Sequence, residues 1–195
     1  MIIGLEWGIC SWKTTIWRAL EKELRQFSYI TEHTPLINDE RAFNLSFSSY
    51  EDFLETFDFF FEAELTRTNA ISVDKSYILD RTIYSLLGFA YTKWKLDNQN
   101  YHDTLLESLM LDNVKYPDIL FIITIDNKLR IQRLSQDKQR LSITPSLFYS
   151  DAFNDYNNSY LQTISHPNKY YIDGSKPLYD ILTEIKEIIW QSKNI

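Results

Sequence analysis

The chain predicts an α/β fold, a parallel sheet with helices on both faces in a three-layer sandwich. Three observations carry this. Ile119 to Ile125 is an uninterrupted apolar run, the pattern of a strand covered on both sides. Strand-like and helix-like segments alternate along the whole chain. The 195 residues show no repeat, low-complexity tract or interdomain linker, so residues 1–195 read as a single domain.

The elements follow in order. Ile2 to Glu6 is a short buried strand. Thr14 to Leu24 is a helix, with Ile16, Ala19, Leu20 and Leu24 on one face. Phe27 to Thr31 is the second strand, and His33 to Ser49 reads as loops and a short helix. Tyr50 to Arg67 has helical spacing, with apolar residues at 53, 54, 57, 60, 61 and 65. Its phenylalanines Phe59, Phe60 and Phe61 read as core. Val73 to Leu79 is the third strand and runs into Asp80-Arg81. Thr82 to Lys93 and Tyr101 to Met110 are helices, then come the strand to Ile125 and a helix from Lys128 to Leu134. Tyr170 to Asp173 is the last strand, Gly174 turns the chain, and Leu178 to Trp190 is an amphipathic helix. In such a sheet ligands sit at the carboxyl ends of the strands. Glu6 to Thr15, Asp80-Arg81 and the residues after Ile125 are expected there.

Composition narrows the function classes. The net charge of -7 argues against general binding to nucleic-acid backbones, which needs clustered lysine and arginine. No apolar stretch reaches the roughly 18 residues of a membrane span, and the N-terminus lacks a basic leader region. Cys10 is the only cysteine, so no internal disulfide forms and a cytoplasmic setting fits. Glycine is scarce, four residues where about 7% is usual, while there are five tryptophans.

Between the first strand and first helix lies Glu6-Trp7-Gly8-Ile9-Cys10-Ser11-Trp12-Lys13-Thr14-Thr15. A phosphate-binding P-loop reads G-x-x-x-x-G-K-[ST] between a strand and a helix. Lys13 and Thr14 fall where that pattern puts its lysine and hydroxyl. Both glycines are tryptophan instead, Trp7 and Trp12. Glycine matters here because the loop wraps backbone N–H groups around phosphate oxygens in unusual dihedrals. An indole beside the lysine crowds that cradle.

Three distant segments extend the pattern. Leu79-Asp80-Arg81-Thr82-Ile83-Tyr84-Ser85 resembles a D/E-R-x-x-x-S segment after a third strand. Tyr116-Pro117-Asp118-Ile119, the strand to Ile125, Asp126 and then Arg130 to Arg140 resemble a "P-D-strand-D … R … R" run. Tyr171-Ile172-Asp173-Gly174-Ser175 is similar to a closing strand and turn. With Glu6 and Lys13-Thr14-Thr15, these make the chain resemble the thymidylate kinase and deoxynucleoside kinase group of P-loop kinases over nearly its whole length.

That resemblance implies an ATP- and Mg²⁺-dependent phosphotransferase acting on a small-molecule nucleotide or nucleoside. Glu6 to Thr15 would cradle ATP, with Lys13 on the β- and γ-phosphates and Thr14 on Mg²⁺. Asp80 would orient Mg²⁺ or face the substrate, and Arg81 would reach a phosphate. Arg67 would contact the substrate. Arg133 and Arg140 would belong to a lid at about residues 133–152. Glu6 would be the base for a sugar hydroxyl in a nucleoside kinase. A nucleotide kinase needs no such base, because a phosphate oxygen attacks. Ile9 favours the nucleoside branch; Asp80 and Ile172 to Ser175 favour thymidylate kinase. The group commonly forms homodimers.

Trp7, Trp12 and Trp94 stand where the group has glycine. The implied explanation is a gene in which UGA encodes glycine. The expected function is thymidylate kinase-like transfer to a pyrimidine deoxynucleoside monophosphate. The alternatives are a deoxynucleoside kinase and, if the tryptophans are genuine, a non-catalytic P-loop-fold protein.

Overall fold

The computed structural model describes residues 1–7, 13–32, 46, 48–108, 111–136 and 150–192. Gly8 to Trp12, most of His33 to Ser49, Met110, Arg140 and most of the expected lid lie outside the described residues.

Five strands form one sheet: β1 (Ile2–Trp7), β2 (Ser28–Ile30), β3 (Tyr77–Asp80), β4 (Ile119–Thr124) and β5 (Lys169–Asp173). Their order is β2-β3-β1-β4-β5, and every neighbouring pair is parallel. β1 sits in the centre, with Gly4 opposite Leu79 on one side and Leu120 on the other. The chain leaves β1 towards β2 and leaves β4 towards β5, in opposite directions. This opens a crevice at their carboxyl ends.

The helices are α1 (Lys13–Glu23), α2 (Tyr50–Asn69), α3 (Ile83–Asp97), α4 (Tyr101–Ser108), α5 (Asn127–Gln136), α6 (Asp151–Thr163) and α7 (Leu178–Ser192). Side-chain alternation on the buried strands feeds two cores. Ile3, Leu5, Ile119, Phe121 and Ile123 pack with Ile16, Leu20, Ile181, Ile185 and Ile189 of α1 and α7. Leu120 and Ile122 turn to the opposite face and meet Phe53, Phe57, Ile83, Leu87 and Leu161 of α2, α3 and α6. The expected sandwich, helices on both faces of a parallel sheet, is the observed one. Phe59 and Phe61 are buried, as core residues should be.

Three elements differ from expectation. β3 begins at Tyr77, because Val73 lies in a turn and is fully exposed. α3 runs to Asp97 and ends on Asn98, whose left-handed backbone (φ 54°) closes the helix. α6 was not foreseen. Its Asn- and Asp-rich sequence has poor helix propensity, and burial of Phe153, Tyr160 and Leu161 against the rest of the fold overrides it.

Candidate active site

The carboxyl ends of β1 and β3 are joined side chain to backbone. Glu6, on β1, points away from the α1 face and is 1% exposed. Its Oε1 accepts from the Thr82 backbone N–H at 2.8 Å and from the Thr82 hydroxyl at 2.6 Å. Its Oε2 accepts from the Ser85 hydroxyl. Burial pushes the Glu6 carboxyl pKa up, while the Ser85 and Thr82 hydrogen bonds and the Arg81 charge pull it down. Thr82 also caps α3, its hydroxyl accepting from Tyr84 N–H at 3.2 Å.

Arg81 stands at the turn from β3 to α3. Its φ of 65° lies in the left-handed region, where a bulky residue is held at a cost of about 1–3 kcal/mol. Such strain persists only where neighbours hold it. Arg81 N–H donates to Leu5 O at 3.0 Å, on the central strand. Its side chain is half-buried, with Nε 2.6 Å from Glu32 Oε1 and Nη1 3.3 Å from Ser85 Oγ. Asp80, just before it, is buried.

Arg67, near the end of α2, spans the ends of β2 and β3. Its Nη1 donates to Thr31 O at 3.0 Å and Asp80 O at 2.8 Å, and its Nη2 to Arg81 O at 2.8 Å. Its Nε donates to Glu64 Oε2 at 2.9 Å. All three nitrogens thus have protein acceptors. Burial pushes the Glu64 carboxyl pKa up, against the pull of Arg67.

Lys13 and Thr14 open α1 beside this edge. An open surface groove of about 530 Å³ follows α1 from Thr15 past Arg18, Ala19 and Lys22 to Glu23, with Leu178 beside it, and so leads away from this edge. Arg133, on α5, donates to Gly174 O at 3.1 Å and so ties α5 to the turn after β5. The structure therefore brings Glu6, Asp80, Arg81 and Arg67 together at one edge. Thr82, Ser85 and Glu32 complete that cluster and were given no role from sequence. The D-R-x-x-x-S spacing carried the signal for Ser85, and the start of a helix after Arg81 carried it for Thr82.

No family model and no curated protein matches the chain. Solved structures do match. The structure of deoxyadenosine kinase from M. mycoides with products dCMP and a flexible dCDP bound aligns with a TM-score of 0.75 at 15% identity, over 98% of this chain and 99% of that one. Its complex with dATP gives 0.74 at 15% identity, over 97% and 99%. Thymidylate kinase from Candida albicans gives 0.66 at 18% identity, over 99% and 92%. The chain has the fold of these P-loop kinases. The fold is thus of the nucleoside and nucleotide kinase type. Among the described residues no helix is long and apolar enough to cross a membrane.

Among the described residues no group of three His, Cys, Asp or Glu side chains could hold a metal alone. A Mg²⁺ ion carried in by nucleotide phosphates needs only one or two carboxylates, with waters and phosphate oxygens filling the rest. Buried Asp80 at the strand edge fits that donor set, with the Thr14 hydroxyl as its expected companion.

Proposed function

We propose that this protein transfers the γ-phosphoryl group of ATP to a pyrimidine deoxynucleoside monophosphate. The observation that carries the choice of acceptor is the state of Glu6. A general base must present a carboxylate oxygen to the substrate hydroxyl. Glu6 is 1% exposed and accepts three hydrogen bonds from Thr82 and Ser85. That is the setting of a carboxylate that braces a turn. A phosphate acceptor supplies its own nucleophilic oxygen and leaves Glu6 to this work. The pyrimidine preference rests on the sequence resemblance to thymidylate kinases.

We place the donor phosphates at the start of α1, with Lys13 on the β- and γ-phosphates, and the acceptor phosphate at Arg81. Mg²⁺, held by Thr14 and Asp80, would neutralise charge on the donor phosphates. Arg81 would draw the acceptor phosphate into line. Arg133 and Arg140 would close over the transferring group and exclude water.

A second reading, a deoxynucleoside kinase, draws on Ile9 and on the likeness to deoxyadenosine kinase. Labelled ATP offered with thymidylate or thymidine, followed by thin-layer separation, tests both. Label in thymidine diphosphate is expected once glycine stands at positions 7 and 12. Label passed only to thymidine overturns the proposal in favour of the nucleoside kinase. UGG codons at positions 7 and 12, together with no transfer and no ATP binding by calorimetry, establish the non-catalytic protein.

A further inference from the structure

Arg81 carries the charge on which acceptor recognition depends, yet its backbone is in a conformation it would not adopt unaided (φ 65°). Something must hold the peptide on both sides. On the N–H side it is Leu5 O, at 3.0 Å. On the carbonyl side it is Arg67, which donates 2.8 Å bonds to Arg81 O and to the preceding Asp80 O. The same guanidinium reaches Thr31 O at 3.0 Å, so it also fixes the end of β2, one residue before Glu32. Glu32 in turn is the partner of the Arg81 side chain.

We infer that Arg67 is a positioning residue that acts on the acceptor phosphate through Arg81, by clamping the Asp80-Arg81 turn, and does not touch the acceptor itself. The inference rests on the reading of Arg81 as the acceptor-phosphate contact. Its geometry does not. The Arg67 side chain is 8% exposed and each nitrogen is committed within the protein. Glu64, one turn earlier on α2 and buried, balances the charge that a buried guanidinium brings. Only a planar fork can meet three carbonyl oxygens and a carboxylate at once. A lysine ammonium is a compact charge and keeps the Glu64 pair but not the clamp.

The test compares wild type with Arg67→Lys, Arg81→Gln and the double variant. Amide exchange at Arg81 and Thr82 without ligand reads the clamp, with Phe121 on β4 as the internal control. Thymidylate and ATP affinities by calorimetry read its consequence. Arg67→Lys should speed exchange at Arg81 and Thr82 at least tenfold, leave Phe121 unchanged and weaken thymidylate at least tenfold, with ATP affinity unaltered. Adding Arg67→Lys to Arg81→Gln should weaken thymidylate no further. Unchanged exchange overturns the inference, and so do additive losses, which would mean that Arg67 meets the acceptor directly. If wild type binds no thymidylate, the functional reading falls, and the exchange rates alone decide the clamp. Should Arg67→Lys fail to fold, the double change Glu64→Gln with Arg67→Gln removes the buried pair together, and the same exchange criterion applies to it.

Discussion

Glu6 and Thr82 are 76 residues apart and are joined by two hydrogen bonds, of 2.8 and 2.6 Å, to a single carboxylate oxygen. They make the end of the central strand and the start of α3 one unit. Everything expected to touch phosphate at this edge is mounted on that unit: Asp80 and Arg81 immediately before Thr82, and α1 after β1.

Thr82 should therefore be costly to change. Thr82→Val keeps the shape but removes both the cap on Tyr84 N–H and the hydroxyl bond to Glu6. A lost N-cap costs about 1 kcal/mol, and a lost bond to a buried charged group about 1.5–3 kcal/mol. We expect a net loss on the order of 2–4 kcal/mol in urea unfolding. Thr82→Ser keeps the hydroxyl and should lose less than about 1 kcal/mol. Equal losses for the two variants would show that packing, not the hydroxyl, matters here.

The raised pKa of Glu6 has a signed consequence for stability. Above its ordinary value of 4.5 the unfolded chain gives up this proton while the folded chain still holds it. The folded state then binds more protons, so stability falls as pH rises from 4.5 through the raised folded value. Glu6→Gln cannot titrate and escapes that loss. Urea melts at pH 4, 5, 6 and 7 should show Glu6→Gln gaining on wild type as pH rises. Glu64 shifts in the same direction but is present in both proteins, so the difference isolates Glu6. A gap that moves the other way would mean that the Thr82 and Ser85 bonds outweigh burial.

Much of this was legible in the sequence because it depends on short-range pattern. The apolar run at Ile119 is β4, and the Ile16, Leu20 and Leu24 spacing is α1. The clamp was not legible. Arg67 and Asp80 are 13 residues apart with nothing in their identities to announce backbone acceptors, and an arginine near an expected phosphate site reads first as a ligand. α6 escaped for a related reason: its residues disfavour a helix until Tyr160 finds α3.

That meeting point is tight. A Cβ built on Gly88 of α3 would lie 2.9 Å from Tyr160 Cδ1 and 3.0 Å from Asn157 Oδ1, both on α6. Gly88→Ala gains about 1 kcal/mol of helix propensity but incurs overpacking of about 1–3 kcal/mol. We expect a net loss on the order of 1 kcal/mol, seen as a melting temperature lower by a few degrees. A higher melting temperature would show that α6 can move away freely.

The last prediction concerns the tryptophans at the phosphate loop. Trp7 is the last residue of β1, and five residues, 8 to 12, separate it from α1. Backbone N–H groups can surround a phosphate over so short a span only if the chain takes dihedrals that suit glycine and no side chain fills the centre. Two indoles oppose both conditions. The double variant Trp7→Gly with Trp12→Gly should bind ATP with Mg²⁺ at least tenfold more tightly than the unchanged chain, by calorimetry. Codons 7, 12 and 94 should all be UGA if glycine is intended. Trp94 is set apart by its surroundings. Its ring packs on Tyr91 and His102 under Lys95 Nζ, 3.7 Å from the ring centre. Glycine there should cost about 0.5 kcal/mol in helix propensity and further stability through the lost ring contacts, without altering ATP affinity. UGG at all three positions defeats the glycine explanation and leaves Trp7 and Trp12 as native parts of the loop; equal ATP affinity for the unchanged chain and the double variant would separately show that the indoles do not block it.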